Sequence, residues 1–344
     1  MSALSQQNNK RIAKNTLLLY FRMLFSMGIG LFTSRIVLES LGIEDYGIYN
    51  LVGGIVTIFA FLNSAMIATS QRFISYELGK GNLHKLKDVF CTTLTIHIAI
   101  AFIIVVLSEV IGVWFLNTKL NIPSDRMMAA NWTLQLSIFV FAVNVISVPY
   151  NASIVAHEKM SAFAYISIFE VSLKLAIAYL LLFISYDKLI VYSILVFCVA
   201  LLLRSLYCFY CKRHFEECHY TFSFNIEQFR EMFAFAGWSL VGNLGFSFKD
   251  QLSNILLNLF FGTVVNAARG ISVQVGSLIN SFSANFMMAM NPQITKSYAV
   301  GDLYRSKELV YAGCRFSFYL LAVISLPIMI NITSVSYTHL TLPT

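Results

Sequence analysis

The chain has 344 residues, of which 58% are hydrophobic and only 12% are charged, and its formal net charge is +7. Soluble domains carry about 25% charged residues, and this chain has too little polar surface to cover a water-soluble particle of its size. The composition argues against a disordered chain, an ordinary soluble enzyme and a nucleic-acid-binding domain. An integral membrane protein is the class that it favours.

Nine stretches are long and apolar enough to cross a bilayer, which requires about 20 residues in helical form. They lack the period-2 alternation of membrane strands, so the predicted fold is all-α. The predicted spans are residues 15–38, 47–71, 90–115, 130–155, 161–185, 188–211, 231–260, 266–293 and 309–333.

The basic residues between the spans are distributed unevenly. Of the 24 Lys and Arg residues, 13 fall in the N-terminus and the loops on its side of the membrane, and 3 fall in the loops on the other side. Lys and Arg concentrate in cytoplasmic loops, so the N-terminus is predicted to be cytoplasmic. The positive net charge is then mostly a topology signal, and no nucleic-acid partner is expected.

The sequence contains a weak internal repeat with an offset of 220 residues. Residues 81–89 (GNLHKLKDV) align with 301–309 (GDLYRSKEL) without a gap, and Leu41-Gly42 aligns with Phe261-Gly262. An even number of spans, six, separates the copies, so they run in the same direction and predict two lobes related by an axis along the membrane normal. Two lobes of six spans require about 12, and we therefore expect the second lobe to be incomplete.

This repeat predicts a division of the chain into parts. They are a cytoplasmic N-terminus (1–14), an N-lobe of six spans (15–211), a cytoplasmic inter-lobe loop (212–230), a partial C-lobe of about three spans (231–334) and a tail (335–344). The tail, VSYTHLTLPT, resembles a translated sequencing adapter, and such segments are excluded from reasoning about the fold.

The seventh predicted span carries a polar stripe. Its members recur every three or four residues and therefore share one helix face; they include Asn243, Ser247, Asp250 and Asn254. Lys249 lies about 100° away around the helix. Two interpretations stay open: a hydrogen-bonded seam between helices and the lining of a cavity.

Other polar residues lie inside predicted spans, where ionisable groups are costly and often functional. The candidates for the lining of a substrate cavity are Arg22, Asn63, Asn243, Ser247, Lys249, Asp250, Asn254, Arg269 and Asn280. Glu170 and Lys174 are spaced as an i,i+4 pair, and we expect this intramembrane ion pair to be structural rather than ligand-binding. Cations outnumber carboxylates among the embedded charges, which favours an anionic substrate, phosphate above all.

No signature of catalysis or cofactor binding is present. The sequence lacks a phosphate-binding glycine loop, an H-E-x-x-H motif and a G-x-S-x-G motif. The Cys and His residues between 208 and 219 resemble a metal-ligand cluster in spacing, but they are more simply helix and loop residues. We expect no enzyme, no catalytic residue, no cofactor and no metal.

Three motifs resemble those of a known family. They are Asn15-Thr16 at the start of span 1, LG-x3-YGIY at 41–49, and FFG-x3-NAAR at 260–269. The chain resembles the Wzx-type oligosaccharide flippases, or polysaccharide biosynthesis proteins, of the MOP superfamily, which also contains the MATE exporters and the lipid II flippases. The resemblance implies a MATE-like two-lobed bundle, and it carries a cavity role over to Arg269 and, less directly, to Arg22, Lys249 and Asp250.

The resemblance also implies a function. Members of the family move an undecaprenyl-diphosphate-linked oligosaccharide from the cytoplasmic to the periplasmic leaflet of the bacterial inner membrane. The expected partners are this lipid-linked substrate, membrane lipids, a polysaccharide polymerase and glycosyltransferases, with H⁺ or Na⁺ as a candidate coupling ion. Three alternatives stay open. A MATE-like cation-coupled multidrug exporter would have an acidic cavity, and a membrane enzyme would need a larger loop than residues 212–230. The third alternative is a structural scaffold.

Overall fold

A computed structural model describes the backbone of residues 3–57, 59–120, 122–221 and 226–330. Side chains are described over the same ranges with these exceptions: 3–8, 57, 60–62, 246–248, 250–251, 254–255, 258–259, 261–264, 266–268 and 271. The predicted adapter-like tail lies outside the described residues.

The described part of the chain is helical and contains no strand, as the sequence predicted. The helices are α1 (Ala3–Thr57), α2 (Ala60–Lys80), α3 (Leu83–Leu107), α4 (Val113–Thr118), α5 (Met127–Ala156), α6 (Met160–Leu180), α7 (Lys188–His214), α8 (Ile226–Ala299) and α9 (Leu303–Ile330). A π-helical segment (Ser108–Gly112) joins α3 to α4, and short 3₁₀ turns follow α6 and α7.

Within the described ranges, six helices are long and apolar enough to cross a membrane. They are Asn9–Val56, Leu83–Thr118, Met127–Ala156, Met160–Phe183, Lys188–His214 and Leu303–Ile330. Predicted spans seven and eight both lie within α8, some of whose side chains are outside the described part. The 74 residues assigned to α8 are enough in number for two crossings of about 20 residues each.

The first two predicted spans are separated inside the predicted loop, but by a single residue rather than by a loop. The helical assignment runs through residues 39–47, and the chain changes direction at Gly42 alone, with φ 80° and ψ 170°. A positive φ of this size is readily adopted only by glycine. One glycine therefore replaces the predicted loop, and the second span begins in α1 and continues in α2.

The two copies of the repeat share the same local turn. The Lys85 amide donates to the Asn82 side chain at 3.1 Å, and 220 residues later the Arg305 amide donates to the Asp302 side chain at 2.9 Å. In both copies the preceding glycine has a positive φ, +71° and +82°, which ends one helix while the Asn or Asp caps the next.

The chain divides into two compact units. The central unit comprises residues 21–244 and the terminal unit comprises residues 1–20 with 245–344. Both divisions fall inside a long helix. Residue 244 corresponds to residue 24 in the repeat, so the two divisions are about one helical turn apart in equivalent positions. The first half of span 1 is grouped with residues 245–344, and the first half of span 7 is grouped with residues 21–230.

Three segments of the central unit meet at Arg126: the part of α1 that holds Asp45, the turn before α5 and the turn before α7. Its guanidinium donates from Nε to Asp45 Oδ1 at 2.8 Å and from Nη1 to Asp187 Oδ2 at 2.7 Å. Asp187 also accepts from the Leu189 and Ile190 amides, and thereby caps the first turn of α7. One cation thus ties together segments that are 81 and 61 residues away from it.

The ionisation of Asp187 follows from these contacts. Burial alone would raise the pKa of its carboxyl, but hydrogen bonds from Arg126 and from the Ile190 amide outweigh burial and hold the pKa below its usual 3.8. The hydrogen bond to Asp187 in turn raises the pKa of Arg126. Asp187 therefore stabilises the fold above pH 3.8, and this contribution is lost as the pH falls through its lower folded-state pKa.

We predict that Asp187→Asn lowers the unfolding free energy of the purified protein at pH 7 by about 2 kcal/mol, because the charged hydrogen bonds to Arg126 are lost. Asp125→Asn, at an exposed neighbouring acid, is the control and should have little effect. Thermal unfolding in detergent measures both. The deficit of Asp187→Asn should shrink as the pH falls below 3.8, and a pH-independent deficit would contradict the assignment.

Candidate functional site in the central unit

One face of α6 carries a line of functional side chains. Phe163, Ser167, Glu170 and Lys174 recur at intervals of four, three and four residues, which places them on a single helical face. The Lys174 ammonium donates to Glu170 Oε1 at 2.6 Å. The two side chains are 43% and 32% exposed, respectively, so a ligand could reach this ion pair.

Arg22 joins this line from span 1. Its guanidinium carbon lies 4.8 Å from the centre of the Phe163 ring, a cation–π distance. Glu170 and Tyr207 are close enough to act electrostatically on the guanidinium. The sequence interpretation treated Glu170 and Lys174 as a self-contained pair, but the carboxylate also faces a second cation.

Tyr207 on α7 completes the group, and sequence reasoning missed it. Its side chain is buried, with 6% of its surface exposed, and Ser167 lies within hydrogen-bonding reach of its hydroxyl. We call Arg22, Ser167, Glu170, Lys174 and Tyr207 the polar cluster. No signal in the sequence singled out this tyrosine among the 17 in the chain.

A further embedded cation, Arg204, lies on the same helix as Tyr207. It donates from Nη1 to the Ile146 carbonyl at 2.7 Å and lies 5.3 Å from the centre of the Tyr150 ring. Predicted spans 1 to 6 contain two carboxylates, Glu109 and Glu170, against five cations, which are Arg22, Arg35, Lys174, Lys188 and Arg204. An excess of positive charge in this setting favours an anionic ligand.

The polar stripe of span 7 begins in the central unit as a seam between helices. The Asn243 amide donates to the Ser64 hydroxyl at 3.2 Å. Asn63 is adjacent, and its buried Oδ1 has no hydrogen-bond partner among the described residues. The structure therefore places Asn243 in a polar contact between helices, and Asn63 is the sequence neighbour of its partner Ser64.

The remaining cavity candidates belong to the terminal unit. Lys249 and Asn280 are exposed and Arg269 is half-buried, all on α8. Ser247, Asp250 and Asn254 were also predicted, but their side chains lie outside the described part. The cavity role of all six stays a prediction.

The Cys and His residues with metal-like spacing form packing contacts instead. Cys211 is buried with its thiol 3.4 Å from the Tyr150 carbonyl oxygen. Over the described ranges, no three His, Cys, Asp or Glu side chains are grouped as a metal site. His157 bonds to Glu217 at 2.6 Å and stacks on Phe215, with ring centres 3.9 Å apart.

The fold is shared with solved membrane transporters. It resembles an outward-facing multidrug resistance MATE family transporter of the MOP superfamily, with a TM-score of 0.81 at 13% identity over 96% of this chain and 74% of that one. It also resembles a MOP superfamily transporter from Pyrococcus furiosus, with a TM-score of 0.78 at 13% identity over 98% of this chain and 75% of that one. The chain therefore has the fold of a MOP-superfamily membrane transporter.

The family is narrower than the fold. Residues 12–296 match the family model described as "Polysaccharide biosynthesis protein", and the chain belongs to that family. It is 19% identical to the uncharacterized membrane protein EpsK of Bacillus subtilis (strain 168) over 305 residues. The match covers 87% of this chain and 59% of EpsK, so the chain spans less than two thirds of that relative.

The polar cluster predicts unequal effects of two substitutions. Glu170→Gln should lower the melting temperature more than Lys174→Met, because it leaves the cations Arg22 and Lys174 without their shared carboxylate, whereas Lys174→Met leaves Glu170 beside Arg22. Thermal unfolding of purified protein measures both, and Glu39→Gln at an exposed acid of α1 is the control. Equal effects of the two substitutions would show that Glu170 interacts with Lys174 alone.

Proposed function

We propose that this protein is a flippase for a lipid-linked oligosaccharide. Its substrate would be an undecaprenyl-diphosphate-linked repeat unit of O-antigen, capsule or exopolysaccharide, which it moves from the cytoplasmic to the periplasmic leaflet by alternating access. The single observation that supports this most strongly is the cationic polar cluster within a chain of the polysaccharide biosynthesis family. Its setting would be the bacterial inner membrane, with a cytoplasmic N-terminus as the distribution of Lys and Arg predicts.

The chemistry of the cluster suits a diphosphate. In the absence of substrate, Glu170 neutralises part of the charge of Lys174 and Arg22. An incoming diphosphate offers these cations several strong acceptor oxygens, and arginine binds phosphate groups in a bidentate manner. The substrate would then replace Glu170 as the counter-ion, and the hydroxyls of Ser167 and Tyr207 lie beside it as hydrogen-bond donors.

Rocking of two parallel lobes is the usual way in which such repeats alternate access. The other predicted cavity residues are proposed to contact the sugar or the diphosphate along this path. They are Asn63, Asn243, Ser247, Lys249, Asp250, Asn254, Arg269 and Asn280. A glycosyltransferase and a polymerase would act before and after the flippase, and H⁺ or Na⁺ could couple the step to an ion gradient.

A MATE-like multidrug exporter is the second candidate, since the fold resembles a multidrug transporter. Typical drug substrates of a cation-coupled exporter would be cationic, and the excess of cations over carboxylates in predicted spans 1 to 6 would repel them. The charge therefore favours the flippase over the exporter.

We predict that Arg22→Ala and Arg269→Ala each abolish surface glycan in a host whose own flippase gene is deleted and replaced by this one, because the diphosphate loses a cationic contact. Lectin or antibody staining measures the glycan, and immunoblotting confirms that the variants reach the membrane. Lys119→Ala, in a loop outside the predicted cavity, should export normally. Normal glycan export by Arg22→Ala would show that the polar cluster takes no part in transport. If the unmodified protein extruded a cationic dye but exported no glycan, the result would favour the multidrug exporter.

A further inference from the structure

The terminal unit contains an open groove that is lined by parts of three helices. It has a volume of about 670 Å³, and its lining comes from the first half of α1, the C-terminal part of α8 and α9. Most of this lining is apolar, with Leu17, Met290 and Leu320 among its residues. We call this cavity the terminal groove.

The groove follows from a difference between the two copies of the repeat. In the central unit Phe229 stacks on Phe233, with ring centres 5.7 Å apart. The residues 220 positions earlier are Asn9 and Ala13, and both line the groove. Smaller side chains on α1 thus leave open a space where the other copy of the repeat has aromatic rings.

The two helices on either side of the groove run in the same direction. Near the start of α9, Arg305 donates from Nη2 to Asn9 Oδ1 at 2.7 Å. About one turn later on both helices, Leu309 and Ile12 belong to the same buried core. The residues that follow on α1 and α9 therefore advance side by side along the groove.

Three polar side chains line the groove beyond this contact. Arg315 lies about 15 Å beyond Arg305 along α9. Thr16 and Tyr20 lie about 10 Å and about 16 Å beyond Asn9 along α1. The three side chains are therefore at a similar depth, and all of them belong to the lining.

These polar groups lack protein partners within the described ranges. The hydroxyl oxygens of Thr16 and Tyr20 are buried and have no hydrogen-bond partner there, and only 9% of the surface of Thr16 is exposed. Arg315 contacts the ring of Phe316, whose centre is 5.9 Å away, but no described carboxylate pairs with it. Burial of a polar group without a hydrogen bond costs free energy, and so does an uncompensated cation inside a membrane span. A ligand that supplies acceptor oxygens and negative charge would remove both costs.

The charge of the groove also favours an anionic ligand. Its lining contains two guanidinium groups, Arg305 and Arg315, against one carboxylate, Glu308. Glu308 accepts from Arg305 at 2.7 Å, so the charge of Arg315 is left over. Lys10 and Lys14 are exposed on the same half of α1. The distribution of Lys and Arg predicts that this end of the helices is cytoplasmic, and the cytoplasmic leaflet carries anionic phospholipids.

We infer that the terminal groove binds an anionic diacyl phospholipid of the surrounding bilayer. Arg315 binds the phosphate, because its long side chain can extend towards the level of the headgroups. Thr16 and Tyr20 donate to the ester carbonyls of the lipid, and an acyl chain lies along the apolar wall. This site goes beyond the proposed function, since its ligand is a resident lipid that the protein does not transport.

The test uses phosphatidylglycerol that carries a photoreactive diazirine in one acyl chain. A small fraction of this probe is added to phosphatidylcholine nanodiscs that hold the full 344-residue protein, and labelled peptides are mapped by mass spectrometry. Labels are expected on the wall of the groove, around Leu17, Phe286 and Leu320. Excess unlabelled phosphatidylglycerol should remove them, and photoreactive phosphatidylcholine should label these peptides much less.

Variants of the lining sharpen the test. Arg315→Thr introduces the residue that the repeat carries at the equivalent position, Thr95, and should reduce labelling about tenfold (~1.4 kcal/mol), because the phosphate loses its cation. Lys307→Thr is the matched control, since Lys307 is exposed on α9 and is not part of the lining, and its labelling should stay unchanged. Ala13→Phe fills the groove as the repeat does and should also reduce labelling. It replaces Arg315→Thr if thermal unfolding shows that the latter does not fold.

The other outcomes would overturn the inference. Equal labelling by photoreactive phosphatidylcholine would show that the groove accepts any bilayer lipid without regard to charge. Removal of the labels by a C20 prenyl diphosphate, but not by phosphatidylglycerol, would assign the groove to a different amphiphile. Labelling that both Arg315→Thr and Ala13→Phe leave unchanged, or no labelling of the wall, would place the phospholipid elsewhere. None of these results decides the flippase proposal, which glycan export in cells tests separately.

Discussion

Charge in a hydrocarbon environment must be compensated, and this requirement organises the protein. An ionised side chain in the middle of a bilayer is costly unless it is paired or exposed to water. In the central unit the requirement is met by one carboxylate, Glu170, which pairs with Lys174 at 2.6 Å and acts on Arg22. Two cations, on α1 and α6, therefore depend on one acid, and a substrate that brings its own negative charge can compete with that acid. The same requirement links folding to the proposed transport step.

The two units are joined within helices rather than by loops. The central unit starts after residue 20 in α1 and ends at residue 244 in α8. Because these positions are nearly equivalent in the repeat, each unit contains the first half of a span that continues in the other. Arg126 reinforces the central unit elsewhere by joining Asp45 and Asp187.

Features that depend on local sequence could be predicted. The span predicted at 130–155 lies in Met127–Ala156 and that predicted at 188–211 lies in Lys188–His214, because a helix in a membrane continues for as long as its apolar run. The repeat could be read because a glycine and a capping residue leave a local pattern, and both copies form the same turn.

Features that depend on distant residues could not be predicted. Arg126 meets acids 81 and 61 residues away, and Tyr207 reaches Ser167 only through the packing of α7 on α6. The form of the break at residues 39–47 was missed for another reason: the charged and polar residues of that segment are typical of a loop, yet a single glycine, Gly42, separates the two helices. The placement of Glu170 between two cations likewise requires span 1 to pack on α6, which no local pattern indicates.

Direct observation of translocation tests the central claim most sharply. The purified protein is reconstituted into liposomes that contain a fluorescent undecaprenyl-diphosphate-linked oligosaccharide, and a membrane-impermeant reductant quenches the label in the outer leaflet. If the protein is a flippase, the quenched fraction should rise beyond the initial outer-leaflet share as inner-leaflet lipid crosses, and Arg22→Ala should slow that rise. A quenched fraction equal to that of protein-free liposomes would contradict the account.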